Sequence, residues 1–257
     1  MTLPLSVRRW IDGLLPPVCA VCGRALAERE REDGACGLCW ARAPRWPEPR
    51  CPRCDAPRPE PAADAPCLEC AEWPAYLAAA RAAYAMDGTA AAIVHQLKYG
   101  GWRALAAAMA RRMAALAVGD GPAGPVDVVV PVPLGPARER ERGFNQAELL
   151  AEAYAARRGG RLERHALRRV RETGTQTALD PAARAANVRG AFEATATARA
   201  WSGGHVLLVD DVCTTGATAV ACARALVRAG VRAVTLVTFA RAVATFSKTA
   251  VTEIEEG

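Results

Sequence analysis

No run in this chain approaches the roughly 18 consecutive apolar residues of a membrane-spanning helix, so the sequence reads as having no membrane insertion. The opening stretch, MTLPLSVRRWIDGLLPPVC, lacks the long apolar core and small-residue cleavage site of a secretory leader. Its Leu3, Leu5, Trp10, Leu14 and Leu15 instead suit a short amphipathic docking helix. Aromatic residues make up only 5%, and a net charge of +6 over 257 residues permits a polyanionic partner without requiring one. There is no G-x-x-x-x-G-K-[ST] loop and no G-x-G-x-x-G, which removes the Walker-type and dinucleotide readings. The three histidines, His95, His165 and His205, are scattered singly, and no Ser-His-Asp or Cys-His nucleophile constellation stands out. With 51% hydrophobic and 23% charged residues, the chain has enough apolar material for one sizeable domain and a smaller one.

What is abundant is cysteine, and it is unevenly placed. Eight of the ten cysteines precede residue 78, as four Cys-x-x-Cys pairs. Cys19-x-x-Cys22 and Cys36-x-x-Cys39 are followed, at similar gaps, by Cys51-x-x-Cys54 and Cys67-x-x-Cys70, an internal repeat. A disulfide scaffold would require a secreted protein, whereas the expected compartment is the cytoplasm, where thiols stay reduced. A Cys-x-x-Cys hairpin sets two thiolates on one side of a tight turn, and two hairpins make the tetrahedral sulfur cage that zinc prefers. The spacing therefore predicts two four-cysteine zinc ribbons in series with two structural Zn²⁺, the alternatives being a disulfide or redox role for the pairs and cross-pairing of the hairpins. Residues 1–78 carry ten arginines against eleven acids, and each Cys₄–zinc unit adds about −2. That balance suits a structural or docking role at least as well as a nucleic-acid one. The predicted organisation is a tandem ribbon over 1–78, a second domain over 79–246 and a disordered tail over 247–257.

The second domain alternates strands and helices. Strands are predicted at 80–86, 126–132, around Phe192, at 206–209 and at 231–239. Helical spacing runs through Ile93-Val94-Leu97, Leu105-Met109-Met113-Leu116, 144–157 and 217–229. Residues 170–190 read as a polar, Arg-rich loop. Apolar strands alternating with helices predict an α/β fold with a parallel sheet, helices on both faces, and ligands outside the carboxyl ends of the strands.

One such end carries the chemistry. His205-Val206-Leu207-Leu208-Val209 reads as a buried strand, followed at once by Asp210 and Asp211 and then by Cys213-Thr214-Thr215-Gly216-Ala217-Thr218. The turn into the next helix offers unpaired backbone N–H groups and the positive end of a helix dipole, an anion site. Gly216 allows close backbone approach, and Thr214, Thr215 and Thr218 add hydroxyl donors. The two carboxylates would accept hydrogen bonds from neutral hydroxyls, so the set suits a phosphorylated sugar.

This stretch, VLLVDDVCTTGAT at 206–218, resembles the phosphoribosyl-pyrophosphate (PRPP) signature of type I phosphoribosyltransferases. HQLKYGG at 95–101, PVPL at 131–134 with RERGFNQA at 140–147, and TGTQTAL and RAANVRGAF between 173 and 192 resemble the ComF branch, as does the cysteine-rich N-terminus. The resemblance implies a type I phosphoribosyltransferase fold with Asp210 and Asp211 on the ribose hydroxyls and Thr214, Thr215, Gly216, Ala217 and Thr218 around the 5′-phosphate. Pro133, Leu134, Arg138, Arg142 and Asn145 would face the pyrophosphate. A loop containing Arg171, Thr173, Gln176 and Arg184 would close over the site, and Mg²⁺ would be held largely by ligand oxygens. ComF-like proteins are associated with natural competence, so the implied partners are PRPP, single-stranded DNA and other competence or helicase proteins. Rival expectations are a metabolic phosphoribosyltransferase acting on a small nucleophile and a non-catalytic, PRPP-gated interaction module. Thr214 stands where 6-oxopurine enzymes carry an aspartate base, which counts against purine salvage.

Three further expectations concern single residues. Arg164, Arg168, Arg169 and Arg171 form the most basic local cluster and a candidate DNA contact, though without interleaved aromatics. Neutralising Asp211 should barely affect stability, because two adjacent carboxylates repel one another. Cys222 is expected in the core, and Cys213 to pack beside the loop.

Overall fold

The computed structural model describes residues 17–58, 66–119, 123–171 and 188–243. The expected amphipathic N-terminal helix, the tail and the loop residues Thr173, Gln176 and Arg184 lie outside the described residues. In chain order the elements are α1 (Gly37–Ala41), β1 (Leu77–Ala85), α2 (Gly88–Tyr99), α3 (Leu105–Met113), β2 (Val128–Pro131), α4 (Pro136–Arg142), α5 (Gln146–Arg158), β3 (Leu167–Arg169), β4 (Phe192–Ala194), β5 (His205–Cys213), α6 (Ala217–Arg228) and β6 (Ala233–Arg241).

Four strands form one parallel sheet in the order β1-β6-β5-β2, as the near-continuous apolar strand sequences lead one to expect. The strand predicted to stop before the acids runs through them to Cys213, with Asp210 in register with Thr238 and Cys213 with Arg241. A separate antiparallel pair, β3 with β4, is only half visible in the sequence: the strand at Phe192 is expected, its partner Leu167–Arg169 is not.

Period-2 alternation divides the interior into two layers. Leu207 and Val209 of β5, with Val237 and Phe239 of β6, face a core built with α2, α3 and α5. Val206 and Leu208, with Val234 and Leu236, face a core built with α6, β3 and β4. The cysteine repeat is split between the same layers. Cys19, Cys36, Cys39 and Trp40 belong to the first, and Cys51, Cys54, Cys70 and Trp73 to the second.

Both sheet edges are covered. Against β1, the Ala80 amide donates to the Arg53 carbonyl (2.8 Å) and the Ala82 amide to Asp55 Oδ2 (3.1 Å). Against β2, the Val129 amide donates to Arg161 O (2.8 Å), and the Val129 carbonyl accepts from the Glu163 amide (2.9 Å). His205 plays a structural part. Its ring nitrogens lie 2.9 Å from Gly124 O and 2.9 Å from Thr235 Oγ1, which ties β5 to β6 and to the segment before β2.

Candidate ligand cavity and metal centres

The eight ribbon cysteines are free and gather into two groups, Cys19/Cys22/Cys36/Cys39 and Cys51/Cys54/Cys67/Cys70, with the sulfurs of each group within 4.8 Å of one another. Four of the Sγ–Sγ separations are Cys19–Cys39 3.8 Å, Cys22–Cys36 3.8 Å, Cys51–Cys70 3.8 Å and Cys54–Cys67 3.7 Å. A tetrahedron with Zn–S bonds of about 2.3 Å has edges of about 3.8 Å, so both cages fit a zinc ion. The hairpins pair in series, which resolves the cross-pairing alternative left open by the spacing. Backbone amides support the thiolates: Val21 N and Cys36 N donate to Cys19 Sγ at 3.4 and 3.2 Å, and Cys39 N to Cys36 Sγ at 3.4 Å. Burial opposes ionisation of Cys36, but the Cys39 amide and the Arg24 guanidinium outweigh it and bring its thiol down to about 6.

A cavity of about 600 Å³ opens at the carboxyl ends of β5 and β2. One wall is the loop Thr214–Thr218 at the start of α6, whose N-cap Gly216 has φ +79°, a left-handed conformation that favours glycine. Pro133, Leu134, Arg138 and Arg142 from the segment after β2 also line the cavity. Asp210 and Asp211 form the floor. The structure thus gathers these residues around one space. Asn145 is not part of the lining. It is the N-cap of α5, its Oδ1 accepting from Ala147 N (3.0 Å) and its Nδ2 donating to Val132 O (3.0 Å), so it fixes α5 to the end of β2. Gly143, at φ +77°, ends α4 and lets the chain turn back into α5.

The acid pair is not symmetrical. Strand alternation sends Asp211 to the layer of α2 and α5, where Lys98 Nζ lies 2.5 Å from Oδ2 and Gln146 Nε2 donates to Oδ1 at 3.2 Å. Gln146 in turn accepts a bond from Arg142, whose guanidinium also lies over the Tyr99 ring at 5.1 Å. Asp211 is 2% exposed. Burial alone would raise its pKa, but Lys98 and Gln146 outweigh that and hold it below the ordinary carboxylate value. Asp210 Oδ1 accepts from the Asp211 amide at 2.8 Å, and the residue lines the cavity. Burial, then the neighbouring Asp211 carboxylate, push it well above the ordinary range. The expectation that Asp211 could be neutralised without loss of stability is therefore corrected, because its carboxylate is half of a buried ion pair.

Lys98 and Gln146 escape a reading of the sequence for site residues, although both sit in stretches that carry the family resemblance. Lys98 is one of only two lysines in the chain, and that rarity is the available signal. Cys213 and Cys222 are buried, as expected, and burial raises both thiols. Arg171 donates to Arg189 O (2.9 Å) across the entry to the Arg-rich loop. Two of the four arginines of the basic cluster are ion-paired, Arg164 with Glu148 and Glu152 (3.1 Å each) and Arg168 with Glu193 (2.7 Å), while Arg169 lies over Phe192.

A family model described as a double zinc ribbon domain matches residues 10–71. The DNA utilization protein YhgH of Salmonella typhi is 33% identical over 219 residues, spanning 84% of this chain and 93% of that protein. The chain belongs to the ComF family. Its similarity to YhgH of Escherichia coli K12 is 30% over 234 residues, 86% of this chain and 95% of the relative. Competence protein F of Haemophilus influenzae is 33% identical over 116 residues, covering 45% of this chain and 51% of that protein. Among the described residues, no helix is long and apolar enough to cross a membrane.

Proposed function

We propose that this ComF protein serves the handling of incoming or scavenged DNA and that its cavity binds PRPP with Mg²⁺. The observation that carries the reading is the one cavity lined together by an amide-and-hydroxyl loop at a helix start, Thr214–Thr218, by Arg138 and Arg142, and by Asp210 and Asp211. A 5′-phosphate suits the loop, where N–H groups and the helix dipole converge. A pyrophosphate suits the guanidinium side. Asp210 would accept from the ribose hydroxyls, while Asp211, held by Lys98 and Gln146, fixes the floor beneath it. Mg²⁺ would be carried mainly by ligand oxygens, as suits an ion that keeps its waters and takes few protein ligands. The role in DNA use is supported by the names of the relatives, which concern DNA utilization and competence.

A PRPP-gated interaction module is the second reading, and Thr214 favours it. A threonine at this position offers no base to draw a proton from an acceptor near neutral pH. One experiment separates the two. PRPP·Mg²⁺ is titrated into the zinc-loaded full chain by calorimetry, and pyrophosphate release is followed with and without single-stranded DNA and a panel of bases. Binding with release supports a transferase, and binding without release supports the gated module. Absence of binding at millimolar PRPP overturns the ligand assignment.

A further inference from the structure

The second cysteine centre reaches the phosphate loop directly. Trp73, three residues beyond Cys70, donates from Nε1 to the carbonyl of Thr215 at 3.1 Å. Its ring fills the space beside Gly216 so closely that a Cβ there would lie 2.3 Å from Trp73 Cζ2. The left-handed Gly216 and the indole are thus fitted to one another, and Trp73 is itself buried. The ribbon's exit is clamped by Arg53, whose guanidinium donates to the carbonyls of Cys70 (3.3 Å), Trp73 (2.9 Å), Pro74 (2.8 Å) and Leu77 (3.2 Å).

A second connection runs through Arg241, at the carboxyl end of β6. It is 1% exposed, yet among the described residues its Nε and Nη2 have no hydrogen-bond partner. Nη1 donates to Cys213 Sγ at 3.1 Å, Nη2 lies 3.7 Å from Glu69 Oε2, and the guanidinium lies 5.6 Å from the Trp73 ring centroid. A buried arginine needs compensating charge. Glu69 supplies part, and a Cys₄–zinc unit of about −2 charge supplies more; Arg241 interacts electrostatically with Cys54 and Cys67 of that unit. The guanidinium therefore sits between the second metal centre and Cys213, the residue from which the phosphate loop departs.

We propose that Trp73 and Arg241 are positioning residues through which the second four-cysteine centre, and not the first, holds the loop Thr214–Thr218 in its ligand-binding shape. The proposal deepens the PRPP reading and rests on it for the identity of the ligand, but the mechanical link between metal centre and loop is independent of it. Metal occupancy at Cys51/Cys54/Cys67/Cys70 then sets how well the cavity binds a phosphate group. Occupancy at Cys19/Cys22/Cys36/Cys39 does not.

The test uses hydrogen–deuterium exchange on the full chain, read on peptides covering 213–220, with zinc counted in every sample and PRPP·Mg²⁺ titrated in parallel. Trp73→Phe keeps a ring but deletes the donor. It should quicken exchange at 214–218 and weaken PRPP binding, each by roughly fivefold, the worth of one ordinary hydrogen bond, with zinc still at two per chain. Trp40→Phe, the matching change beside the first centre, should leave 214–218 as in the wild type. Cys67→Ser, which opens the second centre, should loosen the loop more than Trp73→Phe does, whereas Cys22→Ser should leave it unchanged. Unchanged loop exchange in Trp73→Phe at full zinc, or equal loosening by Cys22→Ser and Cys67→Ser, overturns the proposal. If the wild type binds no PRPP, the ligand reading fails on its own, and the exchange data still decide the link.

Discussion

The two cysteine centres have almost the same spacing and S–S geometry, yet they rest on different things. The first sits on a hydrocarbon and aromatic bed. Arg112 stacks over Trp40 at 3.6 Å, Trp40 meets Phe239 edge-on at 6.1 Å, and Asp33 pairs with Arg111. The second sits on the cavity's own loop and on a buried guanidinium. Duplication of a motif thus copied a cage but not its role. The first is a brace against α3 and the sheet face, and the second backs the loop that lines the cavity.

That contrast can be broken most forcefully by removing metal. Elemental analysis should find close to two zinc per chain. Stripping both should unfold the ribbons, since binding worth roughly 10–16 kcal/mol per site dominates so small a unit. A count near zero in fully reduced, folded protein would end the zinc assignment at both centres.

The next largest effect contrasts the two layers at adjacent residues of β5. Asp211→Asn should cost about 2–3 kcal/mol, somewhat less than for a fully buried pair, because Lys98 keeps 21% side-chain exposure. The pH signs follow from the pair. Asp211 is depressed, so its contribution is present above the ordinary carboxylate range and is lost as pH falls through its lowered value. Lys98 is raised, so its contribution is present below the ordinary lysine range and is lost as pH rises above it. The deficit of Asp211→Asn should therefore be flat around neutrality and vanish in acid. Asp210 is raised, so its burial costs stability as pH climbs past the ordinary carboxylate value. Asp210→Asn should gain stability relative to wild type over that climb and lose PRPP affinity. Thermal unfolding across pH with both variants checks this. Equal responses would mean that the two layers do not treat the acids differently.

The smallest effect is expected at the basic cluster of the second layer. Because Arg164 and Arg168 are paired to carboxylates at the surface, changing both to Ala should alter stability by less than about 1 kcal/mol. It should also leave the salt dependence of single-stranded DNA binding nearly unchanged. A clear drop in the salt slope would restore this cluster as a phosphate track.

Much of this is legible in the residues. The Cys-x-x-Cys pairs announce their cages because the ligands are local. The run from Val206 to Thr218 announces strand, acids and anion loop because these too are contiguous. What cannot be read depends on chain segments that meet only in three dimensions. Asp211 looks like a free acid until Lys98 of α2 and Gln146 of α5 are brought to it. Arg241 lies beyond the predicted strand and draws no attention until Cys213, Glu69 and Trp73 are brought around it. Asn145 looks like a ligand contact within its motif, and its side chain is instead spent on capping α5. The three-residue β3 carries too little pattern to show periodicity.

The covered edge of β1 has a consequence for biosynthesis. An open strand edge is a template on which a second chain can stack, and parallel sheets, whose pairings are distant in sequence, close slowly. Here the groups that shield that edge, Arg53 and Asp55, belong to the Cys51–Cys54 knuckle. This knuckle is translated before any strand of the sheet. A nascent chain whose second cage closes on zinc would therefore carry the shield for β1 before β1 exists, while one starved of zinc would expose that edge to its neighbours on the polysome.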